Sequence, residues 1–195
     1  MIENWWPTQI GCYDNPNHVD ISSHCLDIKS KVETGGAGWI SKDTYNTSNL
    51  KYDVLGKPEF HSINDFVFSC VHDYMSKTKM QFEYKDTEGW FNVYERGDYQ
   101  EFHDHCPSII SCVYFMNESE SKLWFRSSFR DQQSIGYEDF FNNPNVSIQY
   151  DTIPGRCVVF RSYLLHCVDK HKSDIPRVTL AYNFYYKVWE RENDE

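Results

Sequence analysis

The feature that most constrains the fold is a series of short segments, rich in Val, Ile, Phe, Tyr and Trp, that occupies the chain after residue 85. About eight such segments are separated by turn residues, which is typical of the strands of a jelly roll. We predict strands at 89–95, 99–105, 109–116, 122–127, 146–151, 156–161, 164–169 and 176–187. The sequence therefore predicts a mainly β (α+β) fold with a jelly-roll core.

The last predicted strand shows the clearest alternation. Successive side chains of a strand point to opposite faces of the sheet. One face carries Val178, Leu180, Tyr182 and Phe184, and the other carries Arg177, Thr179, Ala181 and Asn183. One face is therefore apolar, and the other places a cation beside a hydroxyl group. Between the fifth and sixth strands, Pro154 and Gly155 predict a turn, because proline fixes φ and glycine permits a positive φ.

Residues 1–85 have a different pattern, in which turn-rich stretches alternate with two predicted helices. The clearer helix covers 62–79, where apolar residues recur with the spacing of one helix face. These residues are Ile63, Phe66, Val67, Cys70, Val71, Tyr74 and Met75. Ser62 is its predicted N-cap. A weaker helix is predicted at 22–31, and we expect both helices to support the β core.

The size and charge of the chain exclude several classes of protein. Its 195 residues suit a single domain, divided into helical and loop support (1–85), a β core (86–189) and an acidic tail (190–195). With 40% hydrophobic and 17% aromatic residues, the chain is too apolar for a disordered protein. The net charge of −10 argues against a nucleic-acid partner. No apolar run approaches the roughly 20 residues of a membrane span, so we expect a soluble, cytoplasmic protein.

The cysteines give no sign of a disulfide framework. There are seven of them, an odd number, and no two are spaced as a CxxC pair. We therefore expect reduced thiols, most of them buried as small apolar residues.

Three histidines of the β half have the spacing of a metal site. His103 and His105 lie two residues apart at the end of a predicted strand, so their side chains share a face about 6.6 Å apart, whereas Asp104 points the other way. His166 from a distant strand supplies a third nitrogen, and three such ligands with open positions are typical of non-haem iron oxygenases. The alternatives are a polar surface pair at His103 and His105 and a hydrogen-bonded core residue at His166.

Arg177 and Thr179 predict an anion site. A buried guanidinium group is costly without an anion, and its planar donors match a carboxylate in a bidentate arrangement. A dicarboxylate cosubstrate would explain a cation on this strand face. The alternative is that Arg177 forms an ion pair at the surface.

These motifs follow one another in a characteristic order. His103-x-His105 comes first, Pro154-Gly155 precedes VVF, and His166 and Arg177-x-Thr179 follow. This order resembles the iron(II)- and 2-oxoglutarate-dependent dioxygenase superfamily. GWFNVYERGDYQEFHDHCPSIISCVYFM, RCVVFRSYLLHCV and RVTLAYNF are most similar to the 2OG-Fe(II) oxygenases of bacteria and marine phages, and WWPTQIGCYD and GGAGWISKD are similar to the opening segments of that group. The resemblance implies a double-stranded β-helix (jelly roll, cupin-like) that uses Fe(II), 2-oxoglutarate and O2.

The resemblance also implies roles for individual residues. His103, His105 and His166 would be the metal ligands and the catalytic centre, although the superfamily usually has Asp or Glu where this chain has His105. If His105 is not a ligand, Asp104 or water would take its place, but strand alternation disfavours Asp104. Arg177 would bind the distal carboxylate of 2-oxoglutarate, with a hydrogen bond from Thr179.

Further cosubstrate contacts are implied on two other strands. Asn92-x-Tyr94 is similar to a motif of the nucleic-acid demethylases of the superfamily, in which the Asn and Tyr contact the cosubstrate. Tyr114 and Ser111 are additional candidates. The alternative for Tyr94 is a place in the barrel core, where Trp90, Phe115, Phe125 and Phe160 are also expected to pack.

The implied activity is hydroxylation of a protein side chain, such as proline, or of a small molecule, with succinate and CO2 as co-products. One alternative is a three-His dioxygenase that does not use 2-oxoglutarate, although Arg177 and Thr179 argue against it because such an enzyme needs no anion site. Another is a catalytically silent jelly roll that binds a metal. A nucleic-acid demethylase is disfavoured by the net charge. The polar and aromatic loop 126–145 is expected to contribute to the substrate surface.

Overall fold

A computed structural model of the protein describes residues 8–33, 44–48, 52, 54–127 and 147–186. Its helices are α1 (Ser22–Lys29) and α2 (His61–Lys77), the latter preceded by a 3-10 turn (Pro58–Phe60). The strands are β1 (Ile10–Asp14), β2 (Tyr45–Asn46), β3 (Tyr84–Tyr94), β4 (Gln100–His103), β5 (Ile110–Phe115), β6 (Ser119–Arg126), β7 (Ser147–Thr152), β8 (Arg156–Arg161), β9 (His166–Val168) and β10 (Arg177–Tyr186). Residues 128–145 of the loop 126–145, the acidic tail and the segment GGAGWISKD lie outside the described residues.

The strands form two antiparallel sheets that face each other. The larger sheet has the order β1-β8-β5-β10-β3-β2, and the smaller has the order β4-β9-β6-β7. One apolar core joins their inner faces and consists of Tyr94, Phe115, Leu123, Phe125, Val158, Phe160, Leu164 and Val168. This arrangement confirms the predicted mainly β, jelly-roll fold. Of the four aromatic residues predicted for the core, Phe115, Phe125 and Phe160 are buried in it.

Strand β10 lies between β3 and β5 and is the centre of the larger sheet. Its apolar face packs outwards with the helices, where Tyr182 and Phe184 join a second core with α2. Its other face points between the sheets and carries Arg177, Thr179 and Asn183, all buried. The alternation in the sequence is therefore confirmed, and it places the cation inside the molecule.

Helix α2 confirms the longer predicted helix to within two residues at each end. Ile63, Val67, Cys70, Val71 and Tyr74 of its apolar stripe are buried against the larger sheet. The predicted N-cap was wrong, because Ser62 is already the second residue of the helix. The 3-10 turn that begins at Pro58 leads directly into α2, and the N-cap position, Phe60, has no side-chain hydrogen bond.

The eight predicted strands correspond to β3–β10, but β1 and β2 were not predicted. β1 pairs with β8 along its whole length, and β2 pairs with β3 over two residues. Both are short and lie among turn residues, so their own sequence carries little alternation. They form because β8 and β3 offer hydrogen-bonding edges, which is information from a distant part of the chain.

All seven cysteines are free thiols, as predicted from their number and spacing, and Cys25, Cys70, Cys112 and Cys157 are buried. Neither of the described helices is long and apolar enough to cross a membrane.

The Pro154-Gly155 turn provides a test of the fold. Gly155 has a φ of +79°, and a Cβ placed there would lie 2.7 Å from the Cβ of His18. Gly97 also has a positive φ, but the nearest atom to its Cβ position is 3.9 Å away. We expect Gly155→Ala to lower the free energy of unfolding by about 3 kcal/mol and Gly97→Ala by about 1 kcal/mol, because only the first adds a clash to backbone strain. Urea denaturation measures both, and equal losses would contradict the packing of His18 on this turn.

Candidate active site

Three imidazole rings converge between the two sheets. His103 ends β4 and pairs directly with His166 at the start of β9, and His105 follows two residues after His103. The ring centroids are 4.2 Å apart for His103 and His166, 4.9 Å for His103 and His105, and 5.0 Å for His105 and His166. One ring nitrogen of each lies within 4.8 Å of those of the other two. The three predicted ligands therefore form one cluster.

His105 lies beyond the end of β4, but its position is fixed by hydrogen bonds. Its backbone N–H donates to the carbonyl of Ser162 at 3.0 Å, and its own carbonyl accepts from the Ser108 hydroxyl at 2.6 Å. Asp104 is exposed and accepts a hydrogen bond from the backbone N–H of Cys106 at 3.0 Å. The carboxylate therefore points away from the cluster, as the alternation of side chains predicts.

Backbone carbonyls determine which ring nitrogen carries the proton in two of the histidines. Nδ1 of His103 lies 2.7 Å from the carbonyl of Glu101, and Nδ1 of His166 lies 2.8 Å from the carbonyl of Leu164. A carbonyl only accepts, so each Nδ1 is protonated and each Nε2 keeps a lone pair. Such second hydrogen bonds orient histidines that bind metals.

The surroundings keep all three rings neutral at pH 7. Burial lowers the pKa of His103, and it lowers that of His166 well below the ordinary value. Burial, together with the neighbouring His103, lowers the pKa of His105 to about 3. Because a metal ion binds the neutral imidazole, the cluster needs no deprotonation to accept one.

Arg177 is completely buried, with a relative exposure of 0%. Its guanidinium carbon lies 5.1 Å from the ring centre of Tyr94 and 5.5 Å from that of Phe115. None of its three guanidinium nitrogens has a hydrogen-bond partner among the described residues. Burial lowers its pKa, but an arginine side chain stays protonated in proteins. The alternative of a surface ion pair is therefore excluded, and among the described residues this buried cation has no anionic partner.

Thr179, Asn92 and Tyr94 surround this cation. In the sheet register Thr179 is opposite Asn92, and Arg177 is opposite Tyr94. The Asn92 side chain donates to the Thr179 hydroxyl at 3.2 Å. Burial raises the pKa of Tyr94, so its phenol is neutral. The structure therefore brings all four predicted cosubstrate contacts on β3 and β10 together.

Tyr114 does not belong to this group, so its predicted role is corrected. It lies on the outer face of β5, where its hydroxyl is 2.7 Å from Nδ1 of His18 and 3.2 Å from the side chain of Asn15. The inner face of β5 at this point carries Val113 and Phe115. Ser111 is on the inner face, but its hydroxyl donates to Asn183 at 2.8 Å.

The histidine cluster and Arg177 line one cavity of about 510 Å³ between the sheets. Its other lining residues include Asn46, Tyr52, Thr87, Glu88, Trp90, Asn92, Tyr94, Gln100, Leu123, Val168, Thr179 and Asn183. Trp90 was predicted as core but lines the cavity, with its ring centre 5.8 Å from that of His105. Strand alternation from Asn92 could have identified it. Nothing in the sequence indicated that Asn46 and Gln100 also line the cavity.

The donors in this cavity fit the two groups that the sequence predicts. Three neutral imidazoles suit a divalent first-row metal such as iron(II), which accepts nitrogen ligands readily. The unpartnered guanidinium group suits a carboxylate. A 2-oxo dicarboxylic acid would present one end to the metal and the other to Arg177.

Comparison with protein families identifies the central part of the chain. Residues 88–183, which contain all three histidines and Arg177, match the sequence profile of a family described as "Putative 2OG-Fe(II) oxygenase". These residues are therefore a domain of the 2OG-Fe(II) oxygenase superfamily. The domain is that of an oxidoreductase that uses iron(II) and 2-oxoglutarate. A comparison with curated protein sequences finds no match.

Solved structures share the fold of this oxygenase at low sequence identity. A Pseudomonas putida prolyl-4-hydroxylase is 14% identical, with a TM-score of 0.61 and coverage of 91% of this chain and 94% of that chain. A prolyl hydroxylase from Trichoplax adhaerens is 13% identical, with a TM-score of 0.62 and coverage of 91% and 84%. The viral collagen prolyl hydroxylase of Paramecium Bursaria Chlorella virus-1 is 13% identical, with a TM-score of 0.53 and coverage of 90% and 94%. These similarities confirm the jelly-roll fold of the oxygenase.

Proposed function

We propose that the protein is a 2-oxoglutarate-dependent hydroxylase in which His103, His105 and His166 bind iron(II), and Arg177 and Thr179 bind the distal carboxylate of 2-oxoglutarate. One observation carries the proposal. The unpartnered guanidinium group of Arg177 lines the same cavity as three converging imidazoles. A three-His dioxygenase that does not use 2-oxoglutarate would need this buried cation only if its own substrate carried an anionic group.

The protein residues act by binding, orienting and excluding water. Iron(II), when bound, supplies the oxygen chemistry that couples decarboxylation of 2-oxoglutarate to substrate oxidation. Nε2 of His103 and of His166 carry the lone pairs that face a metal, because their Nδ1 atoms are held by Glu101 and Leu164. The buried aromatic rings of Tyr94 and Phe115 shield the guanidinium group of Arg177 from solvent, which strengthens its attraction for a carboxylate.

Substitutions at 104 and 105 test whether His105 is the third ligand. We expect His105→Ala to weaken iron(II) binding by more than about 100-fold, because it removes a ligand rather than a supporting contact. His105→Asp should restore binding, since a carboxylate is also an iron ligand. Asp104→Asn is the matched control and should bind as tightly as the wild type, because Asp104 is exposed and points away. Anaerobic titration with iron(II) measures all three affinities, and a loss in Asp104→Asn alone would assign the ligand to Asp104.

The substrate proposed for this site is a protein side chain, with proline as the first candidate. Support comes from the three structural neighbours described above, which are prolyl hydroxylases; the Trichoplax adhaerens enzyme is in complex with a peptide fragment of the hypoxia inducible factor oxygen degradation domain. Among the described lining residues Glu88 is the one acidic side chain, and the whole chain carries a net charge of −10. We therefore propose a neutral or basic peptide.

One experiment tests the activity. The protein is mixed anaerobically with iron(II) and 2-oxoglutarate, the visible absorption band of the complex is recorded, and succinate is measured after air is admitted. We expect both the band and the succinate. Metal binding with neither the absorption band nor succinate formation would instead support a metal-binding jelly roll or a dioxygenase that does not use 2-oxoglutarate.

The substrate class is tested by adding proline-containing peptides to the same reaction. We expect a mass gain of one oxygen atom in neutral or basic peptides and increased succinate production. Succinate production that responds only to small molecules would contradict the peptide proposal and leave the 2-oxoglutarate activity intact.

A further inference from the structure

We propose that Trp90 and Asn92 are positioning residues that fix the direction of the Thr179 hydroxyl, so that it donates its hydrogen to the distal carboxylate of 2-oxoglutarate. The inference rests on the proposed function, and it assigns a role to Trp90 in particular. The three residues form a continuous series of hydrogen bonds along the cavity wall from the side of His105 to the side of Arg177.

The series begins at a group that can only donate. The indole N–H of Trp90 lies 3.2 Å from Oδ1 of Asn92. Because an indole nitrogen never accepts, the oxygen of the Asn92 amide must face Trp90. The amide nitrogen then faces Thr179, where it donates to the hydroxyl oxygen at 3.2 Å. The reversed amide would place two donors against each other at Trp90.

The orientation of the amide decides what the Thr179 hydroxyl can do. A hydroxyl group has one hydrogen, and here its oxygen already accepts from Asn92. The hydroxyl donates to no other described residue, so its hydrogen is available within the cavity. Thr179 lies two residues from Arg177 on the same strand face, and both side chains are buried. This end of the cavity therefore offers a guanidinium group and a hydroxyl donor, which together match a group that only accepts.

An Asn92→Asp substitution reverses the last hydrogen bond. A carboxylate only accepts, so the N–H of Trp90 still has a partner, but the Thr179 hydroxyl now donates to Asp and no longer to the ligand. The new charge would also weaken the binding of 2-oxoglutarate. Thr179→Val separates the two effects, because in that background only the charge remains.

The test is a double-mutant cycle on the iron-loaded protein, with 2-oxoglutarate binding measured anaerobically by calorimetry. We expect Asn92→Asp to weaken binding about 100-fold in the wild type but only about tenfold in Thr179→Val, because the hydrogen bond to a charged group is already lost there. Thr179→Ser should bind like the wild type. With 2-oxopentanoate, which has no distal carboxylate, the cycle should show no coupling.

A second variant checks the start of the series without adding charge. Trp90→Phe keeps a ring beside His105 but removes the donor, so the Asn92 amide is free to rotate. We expect 2-oxoglutarate affinity to fall about threefold and iron(II) affinity to stay unchanged.

Equal losses for Asn92→Asp in the two backgrounds, or no effect of Trp90→Phe, would overturn the inference. A wild-type protein that binds iron(II) but not 2-oxoglutarate would instead overturn the proposed function.

Discussion

Substitution of His166 by Ala is expected to abolish iron(II) binding and with it all succinate formation. His166 is 2% exposed and pairs with His103 across β4 and β9, so no other described side chain can replace it at the centre of the cluster. The two remaining imidazoles belong to one short segment of the chain and provide only two nitrogens. Loss of one ligand from three should lower the affinity for iron(II) by at least about 1000-fold, because even supporting contacts of metal ligands are worth 10- to 100-fold.

The measurement is the iron content of the protein after anaerobic loading and gel filtration. His61→Ala is the matched control, because His61 is exposed at the start of α2 and is not among the residues that line the cavity. It should retain a full complement of iron. The melting temperature of apo His166→Ala shows whether the variant is folded. A folded variant that still binds one iron ion with wild-type affinity would contradict the proposed ligand set.

Substitution of Arg177 by Met is expected to separate cosubstrate binding from stability. The affinity for 2-oxoglutarate should fall by about 100- to 1000-fold, since a bidentate, charge-assisted pair is lost, whereas iron(II) should bind normally. In the absence of 2-oxoglutarate, the melting temperature should not fall, because the substitution replaces a buried, unpartnered cation with an apolar side chain of similar length. Most substitutions of buried residues, by contrast, lower the melting temperature.

Thermal melting with and without 2-oxoglutarate measures both parts of this prediction. The wild type should gain stability from the ligand, as any protein does when only its folded state binds, and Arg177→Met should gain little. Arg96→Met is the control, because Arg96 forms an exposed ion pair with Asp174. A large drop in the melting temperature of the apo Arg177→Met protein would show that the guanidinium group has a structural role instead.

The central site could be predicted from the sequence because its residues follow strand alternation. His103 and His105 share a face by their spacing, and Arg177 and Thr179 share a face of the most regular strand. Asn92 and Tyr94 share a face of β3. This strand pairs with β10, so that Asn92 is opposite Thr179 and Tyr94 is opposite Arg177. Pairing between strands then brings together residues that alternation has already placed on inner faces.

Some errors could have been avoided from the sequence, and others could not. Tyr114 is one residue out of phase with Val113 and Phe115, so strand alternation already places it on the helix side of β5, where its hydroxyl lies 2.7 Å from Nδ1 of His18. β1 and β2 form because of edges supplied by distant strands. Trp90 lies in the cavity and not in the core, and its place on the same strand face as Asn92 could have indicated this.

The direct pairing of His103 with His166 has a consequence for how the chain folds. A shift of one residue in the register of β4 against β9 would turn His103 to the opposite face of the sheet and separate the two nitrogens. The residues concerned are far apart in the chain, so the unfolded protein holds no comparable site. Metal added during refolding would therefore favour the native alignment over its shifted neighbours. A metal ion bound at the reaction centre would thus also select the correct strand pairing.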